Sequence, residues 1–461
     1  MIRTGSVFRM LSSIRVRWIL ALFILAAAAS KAGETGIQAK RAADFVDSMG
    51  INVHMKYTNT PYGDTERIYE ALQALGMRHF RDEINDTAPW FVARLKHIGS
   101  LGYTLCGLIE GGNDYPSPSS KLEAGAVTPM IANLRPYIEA VEGPNEPDDP
   151  TKPPFEYGGN FDPYPQGAIE ESEDLWSIVK SSPEIRDLPV LGISEGTPQD
   201  FAKLAAIPPN PFPDATYGNL HAYQGGGLAD AGLPGYTYYA REFTGNRALW
   251  TTEMGYHNNT SYLSDGEQQG VSIRASAIYL PIAFLSGFNN GVMRTFSYEL
   301  IDEFDDPNPT SQSGGEGHYG LLNYDFTPKP AYTTLRNLIA LLHDSGRQAF
   351  HPGSIEIEFD GAPGTMRYAL LQKSNGEFLL AIWNNLPVYQ VATPQTSGED
   401  IYPAEVPVTL RFSTPASFTV FSPSDESGVN PTEDYTASIT PTSISINLPP
   451  EMLLIRIEGP Q

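Results

Sequence analysis

From about residue 51 to residue 344, short β-branched or aromatic runs alternate with longer segments whose apolar positions recur at helical spacing. The runs at 51–57, 78–82, 104–109, 138–142, 190–194, 217–222, 248–253 and 291–297 predict strands. The segments at 65–75, 90–101, 169–180, 268–286 and 331–343 predict helices between them. Eight strands with a helix after most of them is the count for a closed (β/α)8 TIM barrel. An open doubly wound sheet is the alternative, but no Gly-rich phosphate loop follows the first strand. After about residue 350 the helical spacing stops. Alternating strands follow at 354–359, 366–372, 377–384, 406–412, 417–421, 443–448 and 452–457, with turn residues such as Lys373-Ser374-Asn375-Gly376 between them. The expected fold is α/β: a barrel over residues 33–348 and an antiparallel β-sandwich over 349–461. No Ser/Pro/Thr linker separates the two, so the sandwich is expected to pack on the barrel.

The first 32 residues stand outside this pattern. Arg3, Arg9, Arg15 and Arg17 precede an apolar run from 18 to 29, and small residues stand at Ala27, Ala29 and Ala32. That is the layout of a secretory signal peptide over 1–32, and the run is short for a membrane span. The expected location is secreted or periplasmic, with no membrane attachment once the signal is cleaved. Without that segment the chain carries 25 basic against 54 acidic residues. Such a balance argues against nucleic acid and strongly anionic polymers as partners. Cys106 is the only cysteine and lies in an apolar run, which reads as a small buried hydrophobe. The eight histidines form no HxH or HExxH pattern, so neither a metal nor a cofactor is expected.

Polar and aromatic residues collect where the strands end, the face on which barrels carry their chemistry. They include His54, Tyr57, Arg81, Glu110, Asn145, Glu146, His221, Tyr223, Glu253, His257 and Tyr298. Two stretches matter most. Val141-Glu142-Gly143-Pro144-Asn145-Glu146-Pro147 and Leu249-Trp250-Thr251-Thr252-Glu253-Met254-Gly255 each read as an apolar strand running onto a glutamate. Either glutamate alone reads as a solvated loop carboxylate. Together they supply the two acids that glycosidic-bond cleavage needs, one to protonate the leaving oxygen and one to meet the anomeric carbon. Long loops at 148–167, 223–242 and 298–319 would shape a cleft over them, and Asp302, Glu303, Asp305 and Asp306 in the last read as a solvated acidic turn.

With Asn145-Glu146-Pro147, Glu253, Arg81 and His221-Ala222-Tyr223 in place, residues 45–345 resemble the clan A glycoside hydrolases, the retaining (β/α)8 enzymes that include families 5 and 39. The resemblance implies that Glu146 is the acid/base and Glu253 the nucleophile. It implies that Arg81 sits beside Glu253, that Tyr223 hydrogen-bonds it, and that His221 lines the same pocket. Asn145 would hold the sugar 2-hydroxyl, and His54 joins the substrate-binding candidates. On spacing alone, Arg81 could equally pair with Asp82 or Glu83. Many relatives place a Trp at the eighth strand where this chain offers Phe296 or Tyr298, and Tyr298 is the substrate-binding candidate there. The implied function is a secreted retaining glycoside hydrolase acting on a β-linked oligo- or polysaccharide, with carboxyls about 5–5.5 Å apart. The alternative is a non-catalytic carbohydrate-binding protein on the same barrel. Retention of all five pocket positions favours the enzyme.

Overall fold

The computed structural model describes residues 36–459, apart from 111–120, 150–153, 159, 264–267, 307–313, 347–349, 425–427, 431 and 435–441. The expected signal segment 1–32 lies outside the described residues.

Seven parallel strands form one curled sheet. In chain order they are Met49–Asn52, His79–Glu83, Thr104–Leu108, Ile138–Glu142, Gly218–His221, Leu249–Met254 and Val292–Ser297. Residues 190–194 supply the remaining, fifth, position and join the two edges. Val190 and Ser194 bridge to Val141 and Asn145, and Leu191 bridges to Tyr217. The barrel is thus eight staves round, closed through its least regular one.

A helix follows every stave: Thr65–Leu75, Pro89–Ser100, Ala124–Leu134, Gln166–Ser181, Pro198–Ala205, Leu233–Thr244, Ile273–Asn289 and Pro330–Leu342. The first is signalled at both ends. Asp64 caps it by accepting from Arg67 N at 3.3 Å, and Gly76 ends it in the left-handed region at φ 87°. Its buried Ile68, Leu72 and Leu75 fall on one face and meet the barrel. Three helices outside the segments expected above carry contrary signals in the sequence. Ala124–Leu134 holds Pro129 in its interior, and Pro198–Ala205 is short. Leu233–Thr244 occupies the second half of the stretch expected as a loop over 223–242.

The barrel interior is layered. Cys106, Ala140, Leu191, Trp250 and Phe296 pack as an apolar floor. Phe296 approaches the first strand so closely that a Cβ on Gly50 would overlap its ring. Above them stands a polar layer of Asn52, Arg81, Glu142, Asn219 and Thr252, all buried. The functional face lies above that.

The C-terminal sandwich has a three-stranded sheet (Ile357–Asp360, Val406–Phe412, Ser443–Leu448) and a six-stranded one. The latter runs Lys40–Arg41, Met366–Gln372, Phe378–Asn384, Leu453–Glu458, Ser417–Phe421, Glu433–Asp434. Leu380, Ile382, Val408, Leu410, Phe418, Ile444, Ile446 and Ile455 fill the space between the sheets. The opposite face of the six-stranded sheet, with Leu371, Leu379, Trp383 and Leu454, belongs to the same apolar core as the barrel helices. This follows from period-two alternation when both faces of a strand are covered. The sequence pattern does not anticipate that Lys40–Arg41 joins the six-stranded sheet beside Leu371 and Gln372, or that Ile37–Gln38 forms a separate two-stranded sheet with Ser354–Ile355.

Candidate active site

Glu253 is the penultimate residue of the seventh strand, and Glu146 lies four residues beyond the end of the fourth. Past Glu142 the chain turns through Gly143 at a φ of 156°, so close to Ile109 that a Cβ there would overlap its carbonyl oxygen. No side chain fits at that position. Glu146 itself lies in the left-handed region, φ 45°, an uncommon state for a non-glycine residue that aims its side chain over the barrel mouth. At the seventh strand, pairing with the sixth jumps from Thr251–Leu220 to Glu253–His221. That bulge lets the adjacent Thr252 and Glu253 both serve the interior, which a regular strand would forbid.

The glutamates converge. A ligand-type oxygen of Glu146, one of Glu253 and a ring nitrogen of His221 all lie within 4.8 Å of one another. Glu253 is held at both oxygens: Arg81 Nη1 donates to Oε1 at 2.6 Å, and Tyr223 OH donates to Oε2 at 2.8 Å. Arg81 also donates from Nε to Glu142, from Nη1 to Asn52 Oδ1 (2.9 Å) and from Nη2 to Asn145 Oδ1 (2.7 Å). The alternative pairing of Arg81 with Asp82 or Glu83 is not what the fold makes. Arg81 faces inward, and its carboxylate partners are Glu142 and Glu253.

His221 is completely buried, so it does not line the cleft wall as the resemblance implies. It lies beneath the two glutamates instead, with Nδ1 2.7 Å from Glu146 Oε1 and 3.5 Å from Glu253 Oε2. The surrounding hydrogen bonds assign its protons. Thr252 donates its one hydroxyl hydrogen to Asn219 Oδ1 at 2.9 Å, so Thr252 Oγ1 accepts from His221 Nε2 at 3.1 Å. Nε2 therefore carries a hydrogen, and the 2.7 Å contact at Nδ1 holds one proton between His221 and Glu146. Burial opposes a charge on His221, but the carboxylates of Glu253 and Glu146 outweigh it and raise the imidazole above its ordinary range.

A cleft of about 640 Å³ opens above these groups. Asn145, Glu146, Tyr223, Glu253, Arg81, His54 and Tyr298 all line it, so the sequence-derived set meets at one place, with His221 just below. Between the two aromatic candidates, Phe296 is in the floor and Tyr298 is in the cleft. Burial drives His54 down to about 4, which keeps its ring neutral near pH 7. Tyr298 OH donates to Glu316 Oε1 at 2.6 Å, so His54 Nε2, 3.1 Å from that hydroxyl, must be the donor there. His54, Glu299 and Glu303 also bring ligand-type atoms within 4.8 Å of one another.

Several residues here were not singled out by their motifs. Glu316 enters the cleft from the long loop after the eighth strand, and burial pushes its carboxyl up to about 7. Asp148 lines the cleft two residues beyond Glu146, and Glu142 is sealed beneath. Asp302 is buried against Lys329 Nζ at 2.8 Å, not part of a solvated acidic turn. The buried Lys329 forces that arrangement, since a buried ammonium needs a partner. Glu142 gave no signal of a buried charge pair, because its strand Ile138–Glu142 also carries the partly exposed Glu139.

No protein-family profile and no curated protein matches the sequence. Solved structures do match. A family 39 glycoside hydrolase from Bacteroides cellulosilyticus superposes with a TM-score of 0.59 at 15% identity, covering 90% of this chain and 82% of that one. A monomeric beta-xylosidase from Caulobacter crescentus gives 0.58 at 13% identity, over 93% of this chain and 98% of that one. A family 39 enzyme from Xanthomonas axonopodis pv. citri gives 0.55 at 15%, over 92% and 96%. Over nearly its whole length, the chain shares the fold of these glycoside hydrolases, a (β/α)8 barrel carrying a β-sandwich.

Proposed function

We propose that this protein is a retaining glycoside hydrolase, with Glu253 as nucleophile and Glu146 as acid/base. The observation that carries the reading is the approach of the two carboxylates from strands four and seven, with oxygens within 4.8 Å. That spacing suits direct attack by one carboxylate, since an inverting enzyme needs a wider gap to seat a water. Arg81 and Tyr223 hold the Glu253 carboxylate in place by donating to both of its oxygens. Glu146 shares a proton with His221 and can deliver it to the leaving oxygen.

In the first half-reaction a Glu253 oxygen bonds the anomeric carbon as the glycosidic C–O bond breaks, and the Glu146 proton goes to the departing oxygen. In the second, a water gives its proton to Glu146 while its oxygen displaces Glu253, so the configuration is retained. Asn145, Tyr298 and His54 line the space for the sugar, and the acidic cleft disfavours a strongly anionic glycan. Export through the leader at 1–32 is part of this proposal. No helix among the described residues is long and apolar enough to cross a membrane.

The test is hydrolysis of a panel of aryl β-glycosides, xylosides first because one structural neighbour is a beta-xylosidase. Proton NMR of the first product should show retained configuration, and Glu253→Gln should lose several powers of ten in kcat. An inverted first product, or wild-type rates in Glu253→Gln, overturns the assignment.

A further inference from the structure

Gln268 lines the cleft but has no part in the chemistry proposed above. Its Oε1 accepts from Gly225 N at 2.8 Å, which fixes the way the amide faces. The Nε2 hydrogens have no acceptor among the described residues, so a donor is what Gln268 offers the cleft. Its backbone is anchored as well. Asn259 N donates to His257 Nδ1 at 3.2 Å, so that ring carries its hydrogen on Nε2, which donates to Gln268 O at 2.7 Å. Gly225 is held in turn by what lies behind it. Gly225 and Gly226 are both left-handed, at φ 57° and 80°. A Cβ on Gly226 would overlap Val391 Cγ1 and lie 2.9 Å from Gln269 O. The turn is thus pressed between the C-terminal domain and the segment that carries Gln268. Two hydrogen bonds tie that domain to the same loops: Asn385 Nδ2 donates to Asp230 Oδ1 at 2.8 Å, and Ser272 Oγ donates to Asp400 Oδ1 at 2.6 Å.

We infer that Gln268 is a specificity-determining residue whose Nε2 donates to a hydroxyl oxygen of the bound sugar, and that the C-terminal domain contributes to the site by holding, through Val391, the turn that aims it. The inference rests on the glycosidase reading and names one contact within it. The rest of the cleft gives that contact its meaning. Glu83, Glu110, Asp148, Asp149 and Glu316 all line it, and a carboxylate accepts hydrogen bonds from sugar hydroxyls. A hydroxyl that donates to such a carboxylate keeps its lone pairs, and an amide donor is the group that reads them. Gln268 is half-buried and its amide cannot turn away without releasing Gly225 N. A sugar with no oxygen at that point leaves the donor unpaired once water is displaced, and a site built to bond a hydroxyl rejects such a sugar.

Gln268→Met keeps the length of the side chain and removes the amide. On an aryl glycoside that the wild type cleaves, kcat/KM should fall roughly 3–10-fold. Across monodeoxy analogues of that substrate the loss should vanish for one and persist for the others. A uniform loss over the series, or none, overturns the inference, because a merely structural effect would not single out one hydroxyl. Gly226→Ala should give the same selective loss by pushing the turn from its place. Adding Val391→Ala should recover part of it, since that change removes the atom the new Cβ meets. If Val391→Ala restores neither folding nor selectivity to Gly226→Ala, the C-terminal domain does not place Gln268. A wild type that cleaves no glycoside overturns the glycosidase reading and this inference with it. Normal wild-type turnover beside an insensitive Gln268→Met overturns this inference alone.

Discussion

Arg81 ties Glu142 to Glu253 across the barrel interior, donating from Nε to one carboxylate and from Nη1 to the other at 2.6 Å. A single guanidinium thus compensates two buried acids from strands four and seven, and it can do so because its donors form a rigid fork. Arg81→Met should therefore destabilise the protein by about 3–5 kcal/mol, the cost of leaving a buried charge uncompensated. Urea unfolding would measure it. Adding Glu142→Gln should restore part of the loss, whereas equal midpoints for single and double variants would show that the pair is not coupled.

Tyr223→Phe keeps the ring against Tyr319 and removes only the hydroxyl that holds Glu253 Oε2. A hydrogen bond to a charged group contributes about 1.5–3 kcal/mol. A loss of roughly 10–100-fold in kcat/KM is expected, with KM little changed if the bond matters mainly in the transition state. Steady-state kinetics on an aryl glycoside decide this, and a pure KM effect would assign Tyr223 to ground-state binding instead.

Glu146→Ala should discriminate between leaving groups. Glycosides that depart without protonation should keep most of their glycosylation rate, while those with poor leaving groups should lose it by roughly 10²–10⁴-fold. Uniform loss across a leaving-group series would place the acid elsewhere.

Stability should fall as pH rises from about 4.5 to 7. Burial raises Glu316 and Glu303 to about 7, and Asp148 and Asp302 to about 6. Across that window the native state retains protons that the unfolded chain has released, so ionisation favours unfolding. Acids lowered by their partners, such as Asp47 and Asp344, act in the opposite direction, but their effect is complete near pH 4. His54 and His257, both lowered to about 4 by burial, oppose the decline within the window and are outnumbered by the four carboxyls. Scanning calorimetry should show Tm declining between about pH 5 and 7.5, with a shallower decline in Glu303→Gln. A Tm that rises through the window contradicts the assignment.

Trp383, on the barrel-facing side of the six-stranded sheet, is fully enclosed. Trp383→Ala should cost about 3–5 kcal/mol in chemical denaturation. A barrel ending at residue 346 should be insoluble, because the helices that share that core would be bared to water. A soluble, cooperatively unfolding barrel would show that the sandwich is dispensable.

How far the sequence showed all this depends on which residues spoke locally. The helix Thr65–Leu75 was legible at both ends because Asp64 and Gly76 act within one turn of it. Leu233–Thr244 was not, because Gly232, Pro234 and Gly235 mimic a loop and only packing against the sixth strand decides otherwise. The glutamates of the cleft were legible near strand ends. Glu316 was hidden in an aperiodic loop, and Glu142 in the alternation of an ordinary strand. The place of His221 under the site, not in its wall, depends on a bulge at Thr252 that no local pattern announces.

The strand Leu453–Glu458 lies in the middle of its sheet, between Phe378–Asn384 and Ser417–Phe421, and an edge of that sheet is Lys40–Arg41. During synthesis, residue 40 leaves the ribosome about four hundred residues before the strand that completes its sheet. Until then the sheet that covers the apolar face of the barrel helices lacks its middle strand, and the nascent chain must hold that surface away from other chains. Closing so long a loop costs little in equilibrium entropy but much in time. The final assembly step should therefore be slow, with the unfinished barrel as the species that aggregates or engages chaperones.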